Sequence, residues 1–282
     1  MEGREPPLND GADGAVDPSP CTPGAGVAGA GNGSLGGQNH VPGIQNPVQA
    51  PPPPYSPVRM TRVADPLRAL ALRTEIGVLL RKRAITRVDS SAQRPGFYST
   101  YFLVPKANGS LRPILDLREL NTFVKRLPFK MLTSTEVLRS ISQGEWFTLL
   151  DLEDAYFHVP VHPEHRRFLR FAFEGREYEY AVLPFGLSLS PRVFTRVVAA
   201  ALAPLCAGGI RILPYLDDWL LRAESRTQVS LDTSTVVAHV QGLGFRINRS
   251  KSRLEPSQSV TFLGMTIDSV SMMASLSGWR DW

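Results

Sequence analysis

The sequence predicts an α+β fold built on an antiparallel sheet. Strand-like runs come in pairs separated by turn residues, as around the Asn108-Gly109 and Glu174-Gly175 dipeptides. Helix signals fall between these pairs at irregular intervals, and no fixed period repeats along the chain. Together these features favour hairpins packed with helices.

Composition divides the 282 residues unevenly: the first 60 hold 11 of the 23 Gly and 12 of the 24 Pro. That stretch has a net charge of −3, which leaves +8 for the other 222 residues. Such a segment cannot bury enough apolar surface to offset chain entropy, so residues 1–60 are expected to form a disordered leader ending in the run Pro51 to Pro54. Early acids and the lack of an apolar core exclude a secretory signal. The longest apolar run, residues 197–207, contains Pro204 and falls well short of the ~20 residues a membrane span needs. Cys21 and Cys206 lie far apart and offer neither a disulfide framework nor zinc spacing. The expectation is a soluble, intracellular protein without a membrane partner, whose basic remainder suits a polyanion.

Residues 61–94 should form a helix and lead-in. Asp65 can cap the helix, Pro66 suits its first turn, and Ala69, Leu72, Ile76 and Leu79 repeat at helical spacing. Its other face carries Arg68, Arg73, Arg81, Lys82 and Arg83, which a solvated surface explains by itself. Residues 97–117 predict a hairpin, and Thr133 with Glu136 predicts a capping box. The run Trp146 to Asp151 is an apolar strand ending on a carboxylate. A second hairpin spans residues 168–182. Ser190, as cap, and Pro191 start a helix toward Leu205. Strands at 210–215 and 219–222 flank Leu216, Asp217 and Asp218. A helix near 229–240, a strand around 245–247 and a last strand at 260–267 complete the pattern.

Two acids in a hairpin turn are ordinary on their own. Asp151, a third acid ending a buried-looking strand in a basic region, alters that view. If the elements are neighbours, each pair of carboxylates at ~4 Å and an effective dielectric of ~20 repels by ~4 kcal/mol, which calls for a compensating cation. Oxygen-only ligands select a hard ion such as Mg²⁺, and two such ions would serve phosphoryl or nucleotidyl transfer.

The motifs Leu149-Leu150-Asp151-Leu152-Glu153-Asp154-Ala155-Tyr156-Phe157, Leu183-Pro184-Phe185-Gly186-Leu187 with Ser190-Pro191, and Tyr215-Leu216-Asp217-Asp218 resemble the palm motifs of reverse transcriptases, in the family's order. Residues 112–121 resemble its fingers motif. Gly244-Phe245 with Asn248 and Lys251, then Phe262-Leu263-Gly264, resemble its last palm motifs. The match covers residues 95–268, and its wording at 168–173 and 215–219 is most like the DIRS-type retrotransposons that encode a tyrosine recombinase.

The resemblance implies a fingers subdomain and an antiparallel palm sheet with helices on one face. Asp151, Asp217 and Asp218, assisted by the Leu152 carbonyl, would hold two Mg²⁺. Arg112 and Lys106 would contact the triphosphate. Asp154 and Ala155 would offer backbone amides, and Tyr156 would exclude a ribose 2′-hydroxyl. Phe185 stands where many retroviral enzymes carry Gln and leaves stacking in place of a side-chain hydrogen bond. Lys251 would protonate pyrophosphate, although a phosphate contact fits it equally. Phe262, Leu263 and Gly264 would form the primer grip, or else a core strand. Arg166, Arg167, Arg170, Lys125, Arg126 and Lys130 could track template phosphates.

Three other signals carry nothing. The glycine pattern at 24–29 has no flanking strand or helix. Pro160 and Pro163 interrupt the spacing of His158, His162 and His165. Asp232-Thr233-Ser234 lacks the Gly of an aspartic-protease loop.

The implied activity is copying an RNA or DNA template into DNA from a primer, with deoxynucleoside triphosphates as substrates. Residues 269–282 are expected to be a tail where a thumb would begin. The alternative is a catalytically poor product that only binds nucleic acid, and a third is an RNA-directed RNA polymerase.

Overall fold

The computed structural model of the protein describes residues 53–88, 95–105, 109, 111–125 and 127–277. Lys106, Arg126, the glycine pattern at 24–29, most of the leader and residues 278–282 lie outside these. The central sheet is antiparallel, in the order Arg253–Ser257, Trp146–Asp151, Asp218–Ala223, Arg211–Tyr215. Its strands are apolar on both faces, and their period-2 alternation sorts the side chains into two cores. Leu150, Ile212, Trp219 and Leu221 join the main core with Phe194, Val198 and Val236, from the helices Ser190–Ala207 and Arg226–Gly242. Phe147, Leu213 and Leu220 point the other way, onto Val137, Val260, Phe262 and Ile267. The short helix Ser134–Ser140 therefore lies on the face opposite the two long ones, and its Thr133–Glu136 capping box is formed.

A second sheet runs Met60–Thr61, Arg170–Phe173, Arg176–Tyr180, Ile85–Arg87, with Tyr98–Ser99 also paired to Arg170–Phe173. Met60–Thr61 and Tyr98–Ser99 pair with that strand in parallel, the rest antiparallel. The Thr61 hydroxyl accepts from the Tyr101 amide at 3.1 Å, which ties the start of the lead-in segment to the fold. The finger hairpin pairs Tyr101–Pro105 with Leu111–Leu115. The first helix, Pro66–Arg81, is capped by Asp65 and buries Leu72, Ile76 and Leu79, as its spacing predicts.

Several local expectations are corrected. The strand expected at 260–267 is a hairpin, Ser259–Phe262 with Met265–Asp268, and a third strand, Met273–Leu276, joins it. Leu263 and Gly264 both have positive φ, the requirement of a two-residue turn, and the apolar run across them hid it. The expected strand at 245–247 shrinks to one bridge between Leu152 and Ile247, because this segment tracks a loop rather than a strand. Ser190 is not the helix cap. Leu189 holds that place, and the buried Ser190 hydroxyl donates to the Pro184 carbonyl at 2.8 Å. Arg170 is buried and paired with Glu179 at 3.1 Å, so it is no template contact.

Candidate active site

Strand register builds the acidic centre. Asp218 is the direct cross-strand partner of Asp151 on one side and of Tyr215 on the other. Leu216 and Asp217 form the tip between them, Leu216 with φ of 50°. A left-handed Leu costs about 1 to 2 kcal/mol and needs support. Trp219, fully buried, gives it by donating its indole N–H to the Leu216 carbonyl at 2.9 Å. The Leu152 amide donates to the Asp217 carbonyl at 2.8 Å.

Asp151 and Asp218 thus face each other across the two strands, with Asp217 next to Asp218 at the tip. Burial, then the charges of Asp217 and Asp151, push Asp218 up to about 6. Burial also raises Asp151, opposed by Lys251 and reinforced by Asp217. Lys251 therefore stands close enough to act on both acids. The Asn248 backbone amide donates to the Asp151 carbonyl at 2.8 Å, while the Ser252 hydroxyl accepts from the Asp151 amide at 3.0 Å.

Among the described residues no three His, Cys, Asp or Glu side chains are gathered as a ready ligand set. Two carboxyls paired across neighbouring strands beside a third still offer hard oxygen donors whose mutual repulsion a divalent cation relieves, so the donor chemistry fits such an ion. Asp151, Asp218 and Asp217 are the side chains that could hold it.

The loop after Asp151 forms the second part. Asp154 is left-handed, with φ of 52°, and starts the 3₁₀ turn Ala155–His158. The opening amides of such a turn have no acceptor within it. Tyr156 is buried between Phe185, at 4.8 Å between ring centroids, and Phe194, at 5.6 Å. Phe185 is 57% exposed and also meets Phe157 at 5.8 Å, so it offers an open aromatic face. Its loop is latched by Asn121, whose side chain donates to the Gly186 carbonyl at 2.8 Å and accepts from the Ser188 amide at 2.9 Å.

Asp151, Leu152, Asp217, Asp218 and Lys251 thus come together, with Asp154, Ala155, Tyr156 and Phe185 on the adjoining loop. Arg112 is exposed on the separate finger sheet, opposite Val104. Phe262, Leu263 and Gly264 lie in the turn of the C-terminal sheet, where Phe262 is a core residue. Of the suggested template contacts, Lys130 pairs with Glu136, and Arg167 lies over the rings of Tyr55 and Phe168 at 5.6 and 5.1 Å.

A family model described as "Reverse transcriptase (RNA-dependent DNA polymerase)" matches residues 104–267. The chain belongs to the reverse transcriptase family. This reverse transcriptase domain is of the retroviral and long-terminal-repeat retrotransposon type. It is 32% identical over 158 residues to the Gag-Pol polyprotein of Walleye dermal sarcoma virus, which covers 55% of the chain and 9% of that protein. It is 29% identical over 164 residues to the Transposon Tf2-3 polyprotein of Schizosaccharomyces pombe, 58% of the chain and 12% of that protein. The chain spans about a tenth of the length of these relatives.

Among solved structures, the foamy viral protease-reverse transcriptase in complex with an RNA/DNA hybrid superposes with a TM-score of 0.70 and 21% identity. It covers 87% of this chain and 31% of that one. The same protein in complex with dsDNA gives 0.71 and 22%, covering 85% and 47%. These likenesses establish the reverse transcriptase fold. Sequence reasoning missed Ser252, the Asn121 latch and the Trp219 strut in this domain. Each is a common residue type whose partner is a backbone atom, and no spacing rule marks it.

Proposed function

We propose that this chain acts as the fingers and palm of an RNA-directed DNA polymerase, adding deoxynucleotides to a primer 3′-hydroxyl on an RNA or DNA template. The observation that carries the reading is the cross-strand pairing of Asp151 with Asp218, beside Asp217, inside a reverse transcriptase fold. In this reading residues 61–94 lead in and residues 95–268 form fingers and palm. The motif wording at 168–173 and 215–219 supports a DIRS-type element, and the protein would work inside the cell.

Asp151, Asp217 and Asp218, with the Leu152 carbonyl, would hold two Mg²⁺. When bound, these ions lower the pKa of the attacking hydroxyl and stabilise charge on the leaving pyrophosphate. The chain's own groups do the rest. Asp218, pushed up to about 6 by burial and by the charges of Asp217 and Asp151, would serve as a ligand in its deprotonated form. The opening amides of the Asp154–Tyr156 turn would receive triphosphate oxygens, and exposed Arg112 on the finger hairpin would clamp them, with Lys106. Buried Tyr156, braced by Phe185 and Phe194, would deny space to a 2′-hydroxyl. Lys251 would give a proton to the departing pyrophosphate, and the turn Phe262, Leu263 and Gly264 would steady the primer.

Primer extension on a homopolymer template with Mg²⁺ tests the proposal. Incorporation is expected, with loss of at least about a thousandfold in Asp217→Asn, the scale of several kcal/mol of transition-state stabilisation. Salt-sensitive nucleic-acid binding without incorporation would instead support a binding-only product.

A further inference from the structure

The basic face of the first helix has a use that a solvated surface does not explain. Lys82, the residue that caps the helix Pro66–Arg81, extends its ammonium to the Asp154 carboxylate at 2.5 Å and lies 3.9 Å from Glu153. Arg246 reaches the same Asp154 oxygen from another segment, at 3.4 Å, and Glu153 at 4.0 Å. One carboxylate oxygen thus receives two cations that lie 72 and 92 residues away in sequence.

Arg246 also holds the loop through its backbone. Its carbonyl accepts from the Glu153 amide at 2.9 Å, and its amide donates to His158 Nε2 at 3.0 Å. The His158 Nδ1 then bonds the Ala155 carbonyl at 3.0 Å. A carbonyl can only accept, so Nδ1 carries the hydrogen and Nε2 is the acceptor. The loop is therefore gripped at both ends and at the left-handed Asp154 between them. Both anchors are firm: the helix behind Lys82 is rooted by buried Leu72, Ile76 and Leu79, and Phe245 beside Arg246 packs on Trp219 at 6.4 Å.

We propose that Lys82 and Arg246 are positioning residues, a two-cation clamp on Asp154 that holds the strained loop from Glu153 to His158 in the shape that receives the incoming nucleotide. The inference rests on the polymerase reading and adds two residues to it that touch neither the acids nor a reacting atom. Neutralising either cation leaves the left-handed Asp154 with half its restraint. The binding-competent shape then becomes one of several, and nucleotide binding weakens while chemistry in the bound state persists.

The test measures deoxynucleotide KM and kcat in primer extension by the full chain, for Lys82→Gln, Arg246→Gln and Lys82→Arg. Each Gln variant is expected to raise KM about fivefold with kcat within about threefold, and Lys82→Arg to restore KM because the charge remains. An unchanged KM in both Gln variants, or a Lys82→Arg variant as impaired as Lys82→Gln, overturns the clamp. If the wild-type chain incorporates nothing, the polymerase reading fails and the clamp is decided by amide hydrogen exchange. Exchange in the 153–158 peptide should then rise about fivefold or more in the double Gln variant, with the 146–150 strand unchanged. Equal exchange in the two proteins overturns it.

Discussion

The two halves of the active site are held by different forces. The acidic half, Asp151 with Asp217 and Asp218, is positioned by ladder hydrogen bonds between two strands whose side chains are buried on both faces. The adjoining loop, Glu153 to His158, belongs to no ladder, and one bridge, Leu152 with Ile247, lies just before it. Ion pairs and side-chain bonds from the ends of two distant segments hold it. A register in which a slip of one residue turns every side chain to the wrong face is strongly specified. A loop held by half-exposed charges has a shallower well. The difference teaches that the acidic side is a property of the core, whereas the adjoining loop can be tuned from the surface.

The sharpest separation comes from Asp218→Asn. Primer extension should fall at least about a thousandfold, because one of the three acids proposed to hold the ions is lost. The urea midpoint should stay level or rise, since one of three repelling carboxyls becomes neutral. A large drop in stability would mean that the acids hold the hairpin rather than the sheet holding the acids.

Next in size is Trp219→Ala, which empties a fully buried site and frees the Leu216 carbonyl. A loss of about 3 to 5 kcal/mol in unfolding free energy is expected. A cost under about 1 kcal/mol would show that the hairpin tip needs no strut from the core.

The smallest effect belongs to the loop. Burial, opposed by the Ala155 carbonyl and aided by Arg246, lowers the His158 pKa, and the Arg246 amide occupies the nitrogen that would take a proton. A depressed folded-state pKa contributes stability that is whole above the unfolded value of about 6.5 and lost as pH falls through the folded one. Wild-type stability should therefore drop more steeply below about pH 6.5 than that of His158→Gln, by urea denaturation. Parallel pH profiles would remove His158 from the group that holds the loop.

The legibility of each part obeys the same division. The strand Trp146–Asp151 has the predicted bounds and Asp217 lies at its predicted turn, while Asp218, expected in that turn, opens the following strand. Arg170 and Lys82 looked alike as surface charges, yet one is buried on Glu179 and the other clamps Asp154. Nothing in their neighbours distinguishes them, since the partner of each is set by packing. Ser190 failed as a cap for a related reason: the helix starts a residue earlier than the Ser-Pro signal implies, and the hydroxyl is drawn to Pro184.

By itself the sequence determined the α+β class, the order of the motifs and the three acids, because strand periodicity, turn chemistry and a charged residue ending an apolar run are all local. Only the tertiary structure decided that Asp151 lies across from Asp218, that the run 260–267 folds back on itself, and that Lys82 and Arg246 meet on one carboxylate. Register and long-range ion pairs depend on how separate elements pack, and packing is settled by the whole core at once.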